Sequence, residues 1–174
     1  MRRSLSSATE DPRGDRFTRH FIIFLSTGIY SGYAPFAPGT AGTMVAVPLY
    51  IVFCRLPHIA YGVTVVAFLF MSCWLCRAAE SILLKRDSER IVIDEIGGFL
   101  VAMAFLPPAP LYILLGFLLF RFFDIVKPFP ARRLEALRWG YGVVVDDVVA
   151  GIYTNLLLQG FILLIERKPP LSFF

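Results

Sequence analysis

Residues 59–76 read IAYGVTVVAFLFMSCWLC, a run of 18 residues without a charged side chain. A stretch of this length and polarity is typical of a helix that crosses the hydrocarbon core of a bilayer. A second uncharged run covers 148–165 and is followed by Glu166, Arg167 and Lys168. These two runs predict a membrane protein built from helices.

The composition of the whole chain supports this prediction. Of its 174 residues, 57% are hydrophobic and only 17% are charged, whereas ordinary soluble domains have roughly 45–50% and about 25%. Seventeen phenylalanines add apolar surface that a domain of this size could not bury. A mainly soluble globule and a disordered chain are both disfavoured.

The remaining segments predict an all-α, multi-pass membrane helical bundle of about four to five spans. Shorter apolar runs at 43–54, 96–106 and 111–120 supply the other candidate spans, and the prolines of 107–110 form a turn. Residues 17–29 are too few to span, so a re-entrant or interfacial N-terminal segment is expected. A single membrane domain then covers 17–168, between a disordered tail over 1–16 and a short tail over 169–174.

Basic residues indicate the orientation of this bundle. If the N-terminus, 77–95 and 121–147 lie on one side, that side holds 14 of the 17 basic residues. The other side holds only Arg55, Arg167 and Lys168. The positive-inside rule makes the first side cytoplasmic. The net charge of +4 is thereby explained by topology and anionic membrane lipids, and nucleic acid is not an expected partner.

Five carboxylates lie where apolar runs meet the predicted cytoplasmic face: Asp94, Glu95, Asp124, Asp146 and Asp147. Carboxylates at the edge of hydrocarbon are costly unless they are paired, hydrated or bound to a cation. Oxygen ligands with few histidines suit Mg²⁺ better than Zn²⁺. A single acid would be explained as a helix N-terminal or interfacial residue, but five on one face favour a functional site.

Three charged residues that precede Pro128 form a further candidate site. Arg121, Asp124 and Lys127 are spaced i, i+3, i+6 and so project from one side of a helix. One interpretation is an ordinary ion pair, worth about 0.3–0.5 kcal/mol when exposed. The other is an anion clamp, in which both cations bind phosphate. The spacing alone favours neither.

A loop rich in glycine and proline is predicted over 28–42, reading GIYSGYAPFAPGTAG. The N–H groups of such a loop can cradle a phosphate ahead of a following helix, and Thr40 and Thr43 could add hydroxyl donors. It is not a Walker A loop, because no G-K-[ST] follows. By itself the loop is weak evidence for a binding site.

Read in order, four segments resemble the phosphatidylglycerophosphatase A family of bacterial membrane lipid phosphatases. They are SGYAPFAPGTAGT (31–43), VIDEIGG (92–98), FRFFDIVKPFPARRLE (120–135) and GYGVVVDDVVAG (140–151). The resemblance covers about residues 20–165. Two departures concern packing: Ile93 stands where an aromatic residue is expected, and Gly97-Gly98 adds a glycine.

The resemblance implies Mg²⁺-dependent hydrolysis of the terminal phosphate of phosphatidylglycerophosphate at the cytoplasmic face of the inner membrane. The products are phosphatidylglycerol and inorganic phosphate. The chemistry of phosphomonoester hydrolysis favours attack by water that the metal activates, with a transient aspartyl-phosphate as the alternative. Matched position by position, Asp94, Glu95, Asp124, Asp146 and Asp147 would be the catalytic and metal-binding set. Arg121 and Lys127 would hold phosphate, and the lipid head-group loop would contain Pro38, Gly39, Thr40, Gly42 and Thr43.

Two other classes of function stay open at this point. A small cation channel or transporter would use the acids as ion ligands, but such ligands are expected near the middle of spans or along a path through them. A membrane scaffold would explain the hydrophobicity but not five interfacial carboxylates. The sequence makes no prediction of the oligomeric state.

Overall fold

The computed structural model describes residues 12–85, 88–131 and 141–166. All regular structure in these ranges is helical, which confirms the all-α class. The helices are α1 (Pro12–Ser26), α2 (Pro38–Phe53), α3 (His58–Leu83), α4 (Ile93–Ala102), α5 (Pro110–Val126) and α6 (Tyr141–Glu166), with a 3₁₀ turn over Ser31–Tyr33. The tails predicted over 1–16 and 169–174 lie outside the described residues, apart from 12–16, which begin α1.

Two helices are long and apolar enough to cross a membrane: α3, and the Gly142–Ile165 part of α6. Only 28% of the most apolar window of each is buried inside the protein, so most of their apolar surface faces outward, as in helices that contact lipid. The helices α2 and α5 have 16 and 17 residues, fewer than the about 20 of a typical span. These findings fit a membrane protein with two candidate spans; the predicted four to five spans are not confirmed.

The short helix α4 lies at the centre of the fold and packs against α2, α3, α5 and, most extensively, α6. The contact with α6 depends on two glycines. A Cβ at Gly98 would lie 2.7 Å from the carbonyl oxygen of Asp147, and a Cβ at Gly151 would collide with the carbonyl oxygen of Gly98. Small residues of this kind allow helix backbones to approach closely in an apolar environment.

A side chain from α6 caps the C-terminal end of α4. The last carbonyls of any helix lack partners within it, and an unsatisfied carbonyl costs several kcal/mol in surroundings without water. The Asn155 Nδ2 donates to the carbonyl oxygens of Ala102 at 2.9 Å and Ala104 at 2.8 Å. The Gln159 Nε2 donates in turn to the Asn155 Oδ1 at 2.6 Å. Asn155 therefore allows α4 to end inside the protein after ten residues.

Two buried tyrosines bind the same end of α4 from the other helices. The Tyr61 hydroxyl, from α3, donates to the carbonyl oxygen of Leu100 at 2.7 Å. The Tyr50 hydroxyl, from α2, donates to the carbonyl oxygen of Leu106 at 2.7 Å. Helices α3 and α6 thus fix the C-terminal end of α4, and α2 fixes the turn that follows it.

Candidate active site

The N-terminal end of α4 brings two of the predicted acids into the protein interior. Asp94 and Glu95 lie in its first turn, where the positive end of the helix dipole favours carboxylates. The entry is held by Val92, whose N–H donates to the carbonyl oxygen of Ser26 at 3.0 Å. Only 2% of Asp94 is exposed. A carboxylate so deeply buried requires a partner or a cation.

Asp147 of α6 completes a group of three carboxylates. One oxygen from each of Asp94, Glu95 and Asp147 lies within 4.8 Å of the other two. Among the described residues, the Asp94 Oδ1 and the Glu95 Oε2 have no hydrogen-bond partner although both are buried. Three converging carboxylates, two of them with an unpartnered buried oxygen, are a donor set that fits a hard divalent cation such as Mg²⁺. The residues present therefore fit the predicted metal.

The electrostatics of the two α4 acids agree with this interpretation. Burial raises the pKa of Asp94 above its ordinary value. Burial also raises the pKa of Glu95 well above its ordinary value, and the Asp94 charge adds to this effect, while the Arg121 guanidinium opposes it. A site that disfavours its own negative charges binds a cation or protons to relieve their repulsion.

The other two predicted acids form ion pairs beside this group. The Asp124 Oδ2 lies 2.6 Å from the Arg121 Nη1, and the Asp146 Oδ2 lies 2.7 Å from the Lys127 Nζ. The charge of Asp124 acts on both Asp94 and Glu95. All five acids thus surround one region, but Asp94, Glu95 and Asp147 form the group whose oxygens converge. Their catalytic and metal-binding roles stay predictions.

The predicted clamp of Arg121, Asp124 and Lys127 does not lie on one helix face, because Lys127 pairs with a residue of another helix. Lys127 directly follows α5 and has a left-handed backbone, with φ of 47°. A left-handed residue leaves the helical path, so the i, i+3, i+6 spacing does not set the direction of its side chain. Lys127 reaches Asp146 of α6 instead. Arg121 and Asp124 do pair along α5, as their spacing predicts.

The donors of Arg121 face the beginning of α2. Its Nε forms no hydrogen bond with any described residue, while its Nη1 lies 2.6 Å from the Asp124 Oδ2 in their ion pair. A Cβ on Gly39 would lie 2.9 Å from the Arg121 Nη1 and would collide with the Glu95 Oε1. Glycine at this position thus lets the backbone of α2 approach both side chains.

The end of the predicted head-group loop is helix in the structure. The residues predicted to contact the head group, Pro38, Gly39, Thr40, Gly42 and Thr43, all lie in the first turns of α2. The reason is that proline is favoured at the first helical position, because the N–H it lacks would have no partner there. The Thr43 Oγ1 donates to the carbonyl oxygen of Gly39 at 2.8 Å, so this hydroxyl stabilises the turn. The role of these residues in binding the head group stays a prediction.

Several residues that support the site were not singled out from the sequence. They are the donors to the backbone of α4 and of the turn after it, Tyr50, Tyr61 and Asn155, together with Ser72 of α3, whose Oγ donates to the carbonyl oxygen of Ile93 at 3.4 Å. Their only signal is a polar group isolated within an apolar helix. Such groups mark hydrogen bonds between helices.

Comparison with known proteins decides the family. Residues 24–162 match the family model described as Phosphatidylglycerophosphatase A. The chain belongs to the phosphatidylglycerophosphatase A family. This result confirms the family predicted from the four motifs, and with it an enzyme of the phosphatase class. The matched range contains all five acids and all residues of the candidate phosphate site.

Three relatives match over most of their length. Two are named Phosphatidylglycerophosphatase A: that of Haemophilus influenzae is 36% identical over 140 residues, covering 79% of this chain and 86% of the relative. That of Escherichia coli is 32% identical over 136 residues, covering 77% and 79%. A protein of Bacteroides thetaiotaomicron, provisionally named phosphatidylinositol-3-phosphatase, is 38% identical over 144 residues, covering 78% and 90%. No solved structure matches the chain significantly.

Proposed function

We propose that this member of the phosphatidylglycerophosphatase A family is a Mg²⁺-dependent enzyme that hydrolyses the terminal phosphate of phosphatidylglycerophosphate. The products are phosphatidylglycerol and inorganic phosphate, in a step of phospholipid biosynthesis. The observation that carries the proposal is the convergence of Asp94, Glu95 and Asp147 near the guanidinium of Arg121, whose Nε forms no hydrogen bond with any described residue. A cation site beside a phosphate-binding cation is what phosphomonoester hydrolysis requires.

The phosphate binds, in this proposal, between Arg121 and the beginning of α2. Arg121 offers a planar set of donors that matches two phosphate oxygens. The N–H groups of Gly39 and Thr40 lie in the first turn of α2, where the helix itself supplies no acceptor. These N–H groups and the helix dipole favour an anion at this end. Asp124 keeps the guanidinium oriented through their ion pair.

Asp94, Glu95 and Asp147 hold the metal ion in this proposal. When bound, Mg²⁺ supplies positive charge that offsets the charge of the phosphate and makes water more acidic. Lys127 adds a further positive charge, and its pairing with Asp146 fixes its position relative to α6. The chain's own contribution is to place these charges before the substrate arrives, so that little reorganisation is needed during the reaction.

An apolar groove next to α4 supports a lipid as the substrate. It has a volume of about 370 Å³, and its wall includes Ile93 and Ile96 of α4 with Val45 and Leu49 of α2. Ile93 and Ile96 flank Asp94 and Glu95 along the chain. An acyl chain in this groove would therefore pack against the same turn of α4 that carries Asp94 and Glu95.

The proposed location is the bacterial inner membrane, with several spans and the site on the cytoplasmic face. The excess of basic residues in 77–95 and 121–147 supports this orientation. Labelling of single cysteines from either side of sealed vesicles tests it. Cysteines placed next to Lys85 and next to Lys127 should react from the cytoplasmic side, and reaction from the opposite side would contradict the proposal.

Phosphate release from phosphatidylglycerophosphate in mixed micelles tests the activity directly. We expect release by the purified full chain with Mg²⁺ and none in excess EDTA. The variants Asp94→Asn and Asp147→Asn should each lose about 10²–10³-fold in kcat, as is typical when one charge-stabilising group is removed. The exposed acid Glu89 provides the matched control, and Glu89→Gln should keep full activity. Full activity in EDTA, or in Asp94→Asn, would refute the proposed site.

The same assay decides the substrate. Because the Bacteroides thetaiotaomicron relative is named for a phosphoinositide, phosphatidylinositol-3-phosphate is the informative second substrate. We expect the higher kcat/KM on phosphatidylglycerophosphate. The reverse order would assign the phosphoinositide as the substrate and leave the phosphatase site unchanged. Ion flux through liposomes without phosphate release would instead favour the channel, which the clustering of Asp94, Glu95 and Asp147 in one group does not favour.

A further inference from the structure

A second groove, of about 400 Å³, lies between α1, the 3₁₀ turn and the end of α3. It contains none of the residues assigned above to the candidate active site. Its lining includes Arg16, Arg19, His20, Tyr30, Tyr33 and Ile82. The groove thus combines positive charge, aromatic rings and an apolar wall.

The charge of this groove is one-sided. Arg16 and Arg19 are separated by about one turn of α1 and are both exposed. A third cation contacts the wall of the groove, because the guanidinium of Arg90 lies over the ring of the lining residue Tyr33 at 4.9 Å from its centroid. No carboxylate is among the described residues that line the groove. This arrangement attracts an anion.

The exposed residues of α1 indicate that the groove lies at the level of lipid head groups. Phe17 and Phe21 are 74% and 52% exposed on α1, and their rings stack with centroids 6.3 Å apart. Exposed aromatic side chains next to arginines are typical of helices that lie in the membrane interface. Ile23 and Ile82 form the apolar wall, which matches the first carbons of an acyl chain.

We infer that this groove binds the head group of an anionic phospholipid. Arg16 and Arg19 hold the phosphodiester, and the beginning of one acyl chain packs against Ile23 and Ile82. The tyrosines at the rim bridge the polar and apolar parts, since each has an apolar ring and a polar hydroxyl. The inference does not depend on the proposed reaction, because this lipid needs no phosphomonoester.

Native mass spectrometry of the detergent-purified full chain tests the inference, with phosphatidylserine and phosphatidylcholine as probes. Phosphatidylserine is anionic but has no phosphomonoester and is not the proposed product. We expect it to bind more tightly than zwitterionic phosphatidylcholine. The double variant Arg16→Gln/Arg19→Gln should weaken its binding about 25-fold, since each arginine near an anionic lipid surface contributes about fivefold. The exposed Arg55 is the control, and Arg55→Gln should bind normally.

Two further variants test whether a loss of binding is specific to this groove. The conservative variant Arg16→Lys/Arg19→Lys should retain most of the binding, which excludes misfolding as the cause of a loss. Asp94→Asn should bind phosphatidylserine as the unmodified protein does. Loss of binding in Asp94→Asn would place the lipid in the active site and overturn the inference. Equal binding of the two lipids, or normal binding by the double glutamine variant, would also overturn it.

Discussion

Replacing Gly39 by alanine should damage the candidate active site while leaving the fold intact. The added methyl group would lie 2.9 Å from the Arg121 Nη1 and 3.0 Å from the Nη2, and would collide with the Glu95 Oε1. Ordinary contact begins at 3.4 Å. The guanidinium must therefore move by about half an ångström and the Glu95 carboxylate by more.

The magnitude follows from what these groups do in the proposed reaction. Both side chains are long, so they can move without unfolding the protein. The free energy of unfolding should therefore fall by only about 1 kcal/mol, the low end of the range for overpacking. A displacement of about 1 Å in a positioning group can cost about 100-fold in rate. We therefore expect Gly39→Ala to lower kcat/KM by about 10–100-fold.

The assay is phosphate release from phosphatidylglycerophosphate in mixed micelles at saturating Mg²⁺, with thermal unfolding measured on the same sample. Gly62 and Gly160 are the matched controls, since a Cβ at either would meet nothing within 4 Å. Gly62→Ala and Gly160→Ala should keep normal activity. If Gly39→Ala is as active as they are and unfolds at the same temperature, the beginning of α2 does not contribute to the site, and the reasoning is refuted.

Three further predictions concern the acids and the packing of α4. Because burial raises the pKa of Asp94 and Glu95, protons compete with Mg²⁺ as the pH falls through the raised values, so the Mg²⁺ concentration for half-maximal activity should rise on acidification. In EDTA the folded state binds these protons more tightly than the unfolded state does, so the melting temperature should rise as the pH falls through the same range. If neither the Mg²⁺ requirement nor the melting temperature changes with pH, the burial of these two acids is contradicted. Gly98→Ala should cost about 1–3 kcal/mol or prevent folding, because the new methyl group would meet backbone of Asp147 that cannot yield, whereas a normal melting temperature would exclude this close packing. Asn155→Leu should lower the free energy of unfolding by about 1–3 kcal/mol, since two carbonyls lose their donor, and an unchanged urea midpoint would show that α4 does not need this cap.

The acids of the site could be predicted because their signal is local. Asp94 and Glu95 stand at the edge of an apolar run, and so does Asp147. Any acid at such an edge requires an explanation. Their convergence could not be derived in the same way, because it depends on the approach of Gly98 to Gly151. Glycine pairs are common in membrane helices, and the sequence does not indicate which two meet.

The number of spans was harder to predict for a physical reason. Hydropathy treats 96–106 as a span because the residues are apolar, but α4 ends at Ala102. It can end there because Asn155 donates hydrogen bonds to the carbonyl groups of Ala102 and Ala104, which would have no donor in lipid. The direction of the Lys127 side chain could not be predicted either. Pro128 indicates that the helix stops, but not that the preceding residue has a left-handed backbone conformation.

The hydrogen bonds at the C-terminal end of α4 have a consequence for membranes of different thickness. A spanning helix adapts to a thicker or thinner bilayer by tilting, and α3 and α6 are the two candidate spans among the described residues. Because Tyr61 and Asn155 attach α4 to these two helices, we expect α4 to move with them. The distances between the carboxylates should then stay the same when the host lipids change, and catalysis should depend on the chemistry of the substrate head group more than on the acyl-chain length of the surrounding bilayer.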